Sequence, residues 1–167
     1  SGNTHYTFED IAIIRAIPNI TILSPADATE SVKVAQASAN YDGPIYIRLT
    51  AGLNCPIVYK EDYNFEIGKA IKLIDGDDVT IFATGTMVHN SLKSQKILLE
   101  NGISASVINI HTIKPIDKIS IKNANENSKL IVTIEEHSTI GGLGGEIAEV
   151  IIYYIETYNL KKASESK

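Results

Sequence analysis

The chain of 167 residues has little cysteine, no long apolar run and no excess of basic residues. Its one cysteine, Cys55, excludes an internal disulfide and fits a reducing compartment. No stretch reaches the roughly 20 apolar residues of a membrane span, and residues 1–5 do not resemble a secretory signal. Fifteen basic against 20 acidic residues give a net charge of −5, which argues against nucleic acid and acidic membranes as partners. We therefore expect a cytoplasmic chain.

Apolar residues make up 44% of the chain and charged residues 21%, as in a globular domain with a packed core. Strand-type and helix-type patterns alternate along it, and short strand–helix–strand units predict parallel pairing in an α/β fold. The predicted strands are 20–23, 45–49, 70–74, 79–83, 105–110 and 130–134. The predicted helices are 7–17, 27–40, 88–101, 117–126 and 147–158.

The composition changes after the second predicted strand, where the chain loses its periodicity, and this predicts a linker at residues 51–65. Residues 66–160 then form a three-layer α/β/α domain with a mainly parallel sheet, followed by a polar tail at 161–167. Residues 1–50 form only a partial parallel α/β unit, because two strands and two helices leave apolar surface uncovered. We therefore expect the chain to be a fragment of a larger enzyme, with the missing cover upstream.

A glycine-rich loop, residues 141–145, lies between the last predicted strand and the last helix. Such loops expose amides to phosphates, but the dinucleotide fingerprint fails here. Counted from Gly142 its sixth position is Ile147, and counted from Gly141 its third position is Leu143. No later strand follows to hold an acidic ribose ligand. A tight turn that lets the helix pack closely is the favoured interpretation.

Several titratable side chains lie at strand ends or helix starts. Glu135, Glu136 and His137 are candidates for acid–base chemistry, although such residues more often bind loop amides or lie at subunit contacts. His5, just before a helix, is either an exposed terminal residue or a group that binds or protonates a substrate oxygen. Arg48, on a strand that reads as buried, needs an anionic partner, so it is a candidate for an ion pair or a substrate contact.

The remaining candidates favour structure over chemistry. His89 and His111 have no partner at metal-ligand spacing, and Cys55 has neither a nearby base nor a CxxC partner. Asp27 is explained as a helix N-cap. The residues taken alone therefore predict an α/β fragment without a complete catalytic set.

An ordered series of short motifs resembles the transketolase family. The motifs are 4–12 (THYTFEDIA), 15–19 (RAIPN), 25–27 (PAD), 43–49 (GPIYIRL), 83–85 (ATG), 114–117 (KPID), 135–137 (EEH) and 141–144 (GGLG). Each is weak alone, but their order and spacing fit from residue 4 to about residue 155. The chain is most similar to the separately encoded carboxyl-terminal section of split transketolases. Deoxyxylulose-phosphate synthase and the β subunit of 2-oxo acid dehydrogenases share the layout.

The resemblance implies a fragment of an enzyme that transfers a two-carbon ketol unit between sugars. Residues 1 to about 60 would end a pyrimidine-binding domain, and 66–160 would be the carboxyl-terminal domain. Thiamine diphosphate and magnesium would be held by other transketolase domains or an amino-terminal subunit, and the activating glutamate lies upstream. The chain alone is then expected to bind no cofactor, to be inactive and to form a homo-oligomer. The alternatives are a non-catalytic dimerisation or docking module, or a fragment of a 2-oxo acid dehydrogenase β subunit.

The resemblance also assigns expectations to individual residues. His5 matches the family histidine that contacts substrate hydroxyls. Ala51 takes the place of an arginine that often grips the sugar phosphate, and a methyl group cannot replace such a bidentate clamp. Either the substrate lacks a phosphate there, or another residue supplies the charge. Arg48 matches a strand position of variable role and stays a candidate for substrate binding.

Overall fold

The computed structural model describes residues 7–49 and 55–165, with side chains up to residue 157. Within these ranges the chain forms five helices and seven strands. The helices are α1 (Asp10–Arg15), α2 (Ala28–Ala39), α3 (Met87–Glu100), α4 (Lys118–Asn127) and α5 (Leu143–Glu165). The strands are β1 (Thr21–Leu23), β2 (Ile45–Ile47), β3 (Ile71–Ile74), β4 (Val79–Ala83), β5 (Ala105–Asn109), β6 (Thr112–Lys114) and β7 (Leu130–Ile134).

The larger sheet has four strands in the order β3-β5-β4-β7. Strand β4 runs parallel to β5 and β7, whereas β3 lies antiparallel at one edge. Successive side chains face opposite sides of a strand, so Ile81 and Val107 pack with leucines of α3, while Phe82 and Ile108 pack with α4 and α5. This arrangement confirms the predicted three-layer α/β/α fold with a mainly parallel sheet.

The smaller sheet joins the first region of the chain, residues 1–50, to the second region, residues 66–160. Its order is β2-β1-β6, with β1 parallel to β2 and antiparallel to β6. Ile11, Ile22 and Ile113 form its buried core. The sequence did not predict β6, which follows β5 after only two residues and has its partner far away in the chain. The first region is therefore completed by a strand from the second.

The connection between the regions, described from residue 55 to residue 65, packs against both of them. Tyr59 is buried in a cluster with Ala26, Ala83 and Val88. The Oδ2 of Asp27 accepts hydrogen bonds from the amides of Val58 at 2.6 Å and Tyr59 at 3.0 Å, while its Oδ1 caps α2 by accepting from the Glu30 amide at 2.8 Å. Asp27 is thus the predicted N-cap and also an anchor for the connection.

The longest helix, α5, covers one side of the larger sheet. Its apolar side chains face the sheet, because Ile147 and Val150 lie in the core and Ile151 and Tyr154 pack against it. The helix begins before the predicted start at residue 147, at Leu143 inside the glycine loop. No helix in the described ranges combines the length and the apolar character needed to cross a bilayer.

Candidate functional site

The carboxyl ends of β2 and β7 meet at the start of α1, and Arg48 joins all three. Arg48 directly follows β2. Its Nε donates to Oδ2 of Asp10 at 2.8 Å, and its Nη2 donates to the backbone oxygens of Thr7 at 3.1 Å and Glu136 at 2.9 Å. The side chain is only 13% exposed. The anionic partner expected for this arginine is therefore Asp10.

Asp10 holds the Arg48 guanidinium in one orientation. The same Oδ2 also accepts a hydrogen bond from the Tyr46 hydroxyl at 2.9 Å. Burial raises the pKa of Tyr46, and its hydrogen bond to Asp10 raises that pKa further, so Tyr46 remains a donor at neutral pH. The other oxygen, Oδ1, is buried without a hydrogen-bond partner in the described ranges and lies 3.9 Å from Nε2 of His137.

His137 uses both ring nitrogens on backbone groups. Its Nδ1 lies 2.7 Å from the Ser138 carbonyl oxygen, which only accepts, and its Nε2 accepts from the Ala12 amide at 3.4 Å. These two bonds require the neutral tautomer with the proton on Nδ1. Because the side chain is also fully buried, this geometry favours a structural role over proton transfer to a substrate.

The glycine loop before α5 is filled by the side chain of Glu135. Its Oε2 accepts from the Leu143 amide at 2.7 Å, and its Oε1 accepts from the Gly144 amide at 2.9 Å. These amides belong to the first turn of α5, where the helix dipole stabilises an anion. A side chain on Gly142 would overlap this carboxylate, and Gly141 has a φ of +73°. The tight turn is confirmed, and the amides that a phosphate would need are occupied.

Arg15 of α1 ties the first region to α5. Its Nη1 donates to the carbonyl oxygens of Gly141 at 2.8 Å and Gly142 at 3.4 Å. Its Nη2 pairs with Glu146 and, at 2.8 Å, with the exposed Glu149. Together with Arg48, this residue joins the start of the chain to the 135–146 segment through hydrogen bonds to backbone oxygens and one ion pair, Arg15–Glu146.

A second polar cluster, which sequence reasoning missed, lies beneath the connection. Glu30 is completely buried and accepts hydrogen bonds from the Ala26 amide at 2.7 Å and the Tyr63 hydroxyl at 3.0 Å. The Asn109 side-chain amide donates to both carboxyl oxygens of Glu30, at 2.9 and 3.0 Å, and to the Tyr59 hydroxyl at 2.7 Å. This cluster joins α2, the connection and β5.

Burial raises the pKa of the Glu30 carboxyl. The hydrogen bonds from Ala26, Asn109 and Tyr63 oppose that effect but are smaller, and the charge of Asp27 adds to it. In the sequence, Glu30 reads as the partner of Asp27 in a capping box. That pattern places no demand on burial, so the sequence carries no signal for this cluster.

The remaining candidates are His5, Ala51, His89, Cys55 and His111. His5 and Ala51 lie outside the described residues. His89 is half-buried on α3, Cys55 is a half-buried free thiol, and burial lowers the pKa of His111 to about 4, which keeps it neutral. No group of three or more His, Cys, Asp or Glu side chains able to hold a metal occurs in the ranges that the structure covers.

Two curated proteins are similar to 90% of this chain. The putative transketolase C-terminal section of Methanocaldococcus jannaschii is 47% identical over 152 residues, which cover 90% of this chain and 47% of the relative. One of the subunits of the apulose-4-phosphate transketolase of Phocaeicola vulgatus is 37% identical over 150 residues, covering 90% and 48%. The chain spans about half the length of these curated relatives.

A solved structure described as "Split gene transketolase, inactive beta4 tetramer" has a TM-score of 0.86 and 39% identity, and the match covers 90% of this chain and 50% of that one. The family profile "Transketolase, pyrimidine binding domain" matches residues 1–55. The profile "Transketolase, C-terminal domain" matches residues 68–162, more than half of the chain. The resemblance seen in the motifs is confirmed, and the chain belongs to the transketolase family.

Proposed function

We propose that the chain is the carboxyl-terminal section of a split transketolase-type transferase, which moves a two-carbon ketol unit between sugars when complete. The observation that carries this proposal is the similarity along 90% of the chain to a transketolase C-terminal section and to one subunit of another transketolase. Both relatives bear names of partial enzymes. The described residues likewise contain no self-sufficient catalytic set.

Family membership implies that the complete enzyme depends on thiamine diphosphate. The described residues do not fit its diphosphate or a magnesium ion. They offer no group of metal-binding side chains, and Glu135 already occupies the loop amides. We therefore assign both groups to the remaining transketolase domains or to an amino-terminal subunit, and we expect the chain alone to be inactive and to bind neither.

His5 is our proposed substrate contact in the complete enzyme. It stands in the motif at which family members place a histidine beside substrate hydroxyls. Two residues later, Thr7 begins the described part of the chain and is hydrogen bonded to Arg48. This places the start of α1 beside the carboxyl ends of β2 and β7, the side of an α/β sheet where ligands bind.

The direct test combines the chain with the amino-terminal section from the same source, thiamine diphosphate and magnesium. We expect ketol transfer in the mixture only, and no cofactor binding by calorimetry to the chain alone. His5→Gln should lower turnover at least about tenfold, because a hydrogen bond to the reacting substrate is lost. His89→Gln on α3 is the matched control and should leave turnover unchanged.

Two results would contradict the proposal. Micromolar binding of thiamine diphosphate by this chain alone would show that it holds the cofactor itself. Unchanged kinetics for His5→Gln would remove that residue from the site. The same assay addresses substrate class, because Ala51→Arg should improve the use of phosphorylated sugars if the missing clamp is what limits them.

The second candidate function is a non-catalytic dimerisation or docking module. The description of one similar structure as an inactive tetramer supports self-assembly without activity, and we propose a homo-oligomer for this chain as well. Light scattering with and without the amino-terminal section distinguishes the candidates. If adding the amino-terminal section changes neither the size of the assembly nor its lack of activity, the non-catalytic module is favoured. The transferase and the 2-oxo acid dehydrogenase fragment are then disfavoured. We place the complete enzyme in the cytoplasm, which fractionation would check.

A further inference from the structure

We infer that Arg48 is a positioning residue for the substrate contact at His5, an inference that rests on the proposed function. Arg48 acts through the backbone of Thr7, two residues after His5, and not through the substrate. Neither the family motifs nor the relatives' names assign it this task. The inference follows from where the donors of its guanidinium go.

The guanidinium of Arg48 is fixed along one edge. Its Nε is held by Asp10 at 2.8 Å, and Asp10 is held in turn by Tyr46. With that edge fixed, the planar fork directs Nη2 at two backbone oxygens, those of Thr7 and Glu136. Within the described ranges, only Nη1 of this guanidinium makes no hydrogen bond. Direct binding of the substrate by Nη1 is therefore the alternative to be tested.

The two carbonyls that Arg48 binds belong to different regions of the chain. Thr7 leads into α1, whereas Glu136 follows β7. The next carbonyl, that of Phe8, accepts from the Ser138 amide at 2.8 Å. The backbone at Thr7 and Phe8, just before α1, is therefore held against the end of β7, and Arg48 sets one of these contacts directly.

Arg15 provides a matched control for Arg48. The two side chains carry the same charge, are 11% and 13% exposed, and each donates to two backbone oxygens and pairs with a carboxylate. The contacts of Arg15, however, all go to the glycine loop and α5. Replacing either arginine by lysine keeps the charge and removes the planar fork, but only Arg48→Lys disturbs Thr7.

The kinetic experiment uses the assembled enzyme with both sections. We expect Arg48→Lys to lower kcat about 10- to 100-fold, because a small displacement of a substrate contact is costly, and to leave KM within about twofold. Arg15→Lys should change neither value by more than about twofold. A raised KM at unchanged kcat for Arg48→Lys would mean that Arg48 contacts the substrate directly, and it would overturn the inference.

A second measurement does not need activity. Hydrogen exchange of the full chain should show the Ser138 amide exchanging at least about tenfold faster in Arg48→Lys, whereas Arg15→Lys should speed exchange around the glycine loop instead. An unchanged Ser138 amide in Arg48→Lys overturns the positioning role. Inactivity of the wild-type mixture would refute the proposed function, whereas the hydrogen-exchange test of Arg48 does not depend on activity. Should Arg48→Lys fail to fold, Asp10→Ala removes the acceptor of the same Nε and is expected to act in the same direction.

Discussion

Two junctions hold the two regions of the chain together, and they are built on opposite principles. The arginine junction consists of Arg15 and Arg48 with Asp10 and Glu146, and these side chains, 8–19% exposed, pair opposite charges. The Glu30 junction consists of Glu30, Asn109, Tyr59 and Tyr63, and it is buried, with Glu30 fully inaccessible and Asn109 likewise. Both connect an element of the first region with the second.

The two junctions differ in the way their charged groups are partnered. The arginine junction pairs opposite charges and orients the guanidinium groups with backbone carbonyls. The Glu30 junction raises the pKa of its carboxyl and, by burial and the proximity of Glu30, those of Tyr59 and Tyr63. A raised pKa means that the charged form of this buried carboxyl is costly, so the stability of the junction depends on pH.

The largest effect should come from placing a second carboxyl in the Glu30 junction. Asn109→Asp removes the amide that donates to both oxygens of Glu30 and places a second carboxyl against the first. We expect a loss of about 3–5 kcal/mol in the free energy of unfolding at neutral pH, measured by urea denaturation. Asn125→Asp, on the exposed side of α4, is the control and should stay within about 0.5 kcal/mol. Equal losses for the two variants would show that the Glu30 junction tolerates charge.

An intermediate effect is expected at the glycine loop beside the arginine junction. Glu135→Ala leaves the Leu143 and Gly144 amides without their acceptor, and we expect a loss of about 2–3 kcal/mol. The neighbouring Glu136→Ala removes only a bond of 3.3 Å from Thr86 and should cost less than about 1 kcal/mol. Thermal and urea unfolding of both variants make the test, and a larger loss for Glu136→Ala would contradict the assignment.

The smallest effect is the pH dependence of the Glu30 junction. A carboxyl whose pKa in the folded state is raised stabilises the fold fully below its ordinary value of 4.5, and this contribution is lost as pH rises through the folded pKa. Glu30→Gln cannot ionise. We therefore expect it to gain stability relative to the wild type as the pH rises above 4.5. The exposed Glu61→Gln should run parallel to the wild type, and a Glu30→Gln curve that does the same would refute the raised pKa.

Local patterns were sufficient for most elements of the larger sheet. Strand β4 was predicted from Val79 to Ala83 because an apolar, β-branched run ends in turn residues on both sides. Strand β6 was missed because it is three residues long and closely follows β5. Its identity as a separate strand depends on pairing with β1, and such pairing between distant segments leaves no local signal.

The site shows the same limit. That Arg48 needs an anion followed from a sequence pattern that reads as a buried strand, although β2 is half-buried and ends at Ile47. Asp10 reads only as part of a helix start. Glu30 and Asn109 come together because α2 and β5 meet beneath Tyr59, and neither residue stands out in its own segment. The sequence therefore indicated that Arg48 needed a partner. Only the fold could identify that partner and bring Glu30 and Asn109 together.

The strand β6 has a consequence for the integrity of the chain. Since the second region contributes a strand to the sheet of the first, cutting the backbone within residues 55–65 would not free two separate domains. The nicked halves would stay associated through β1–β6 pairing and both junctions, much as complementing fragments do. A band shift on a denaturing gel without any change in native size would be the mark of such interlocked halves.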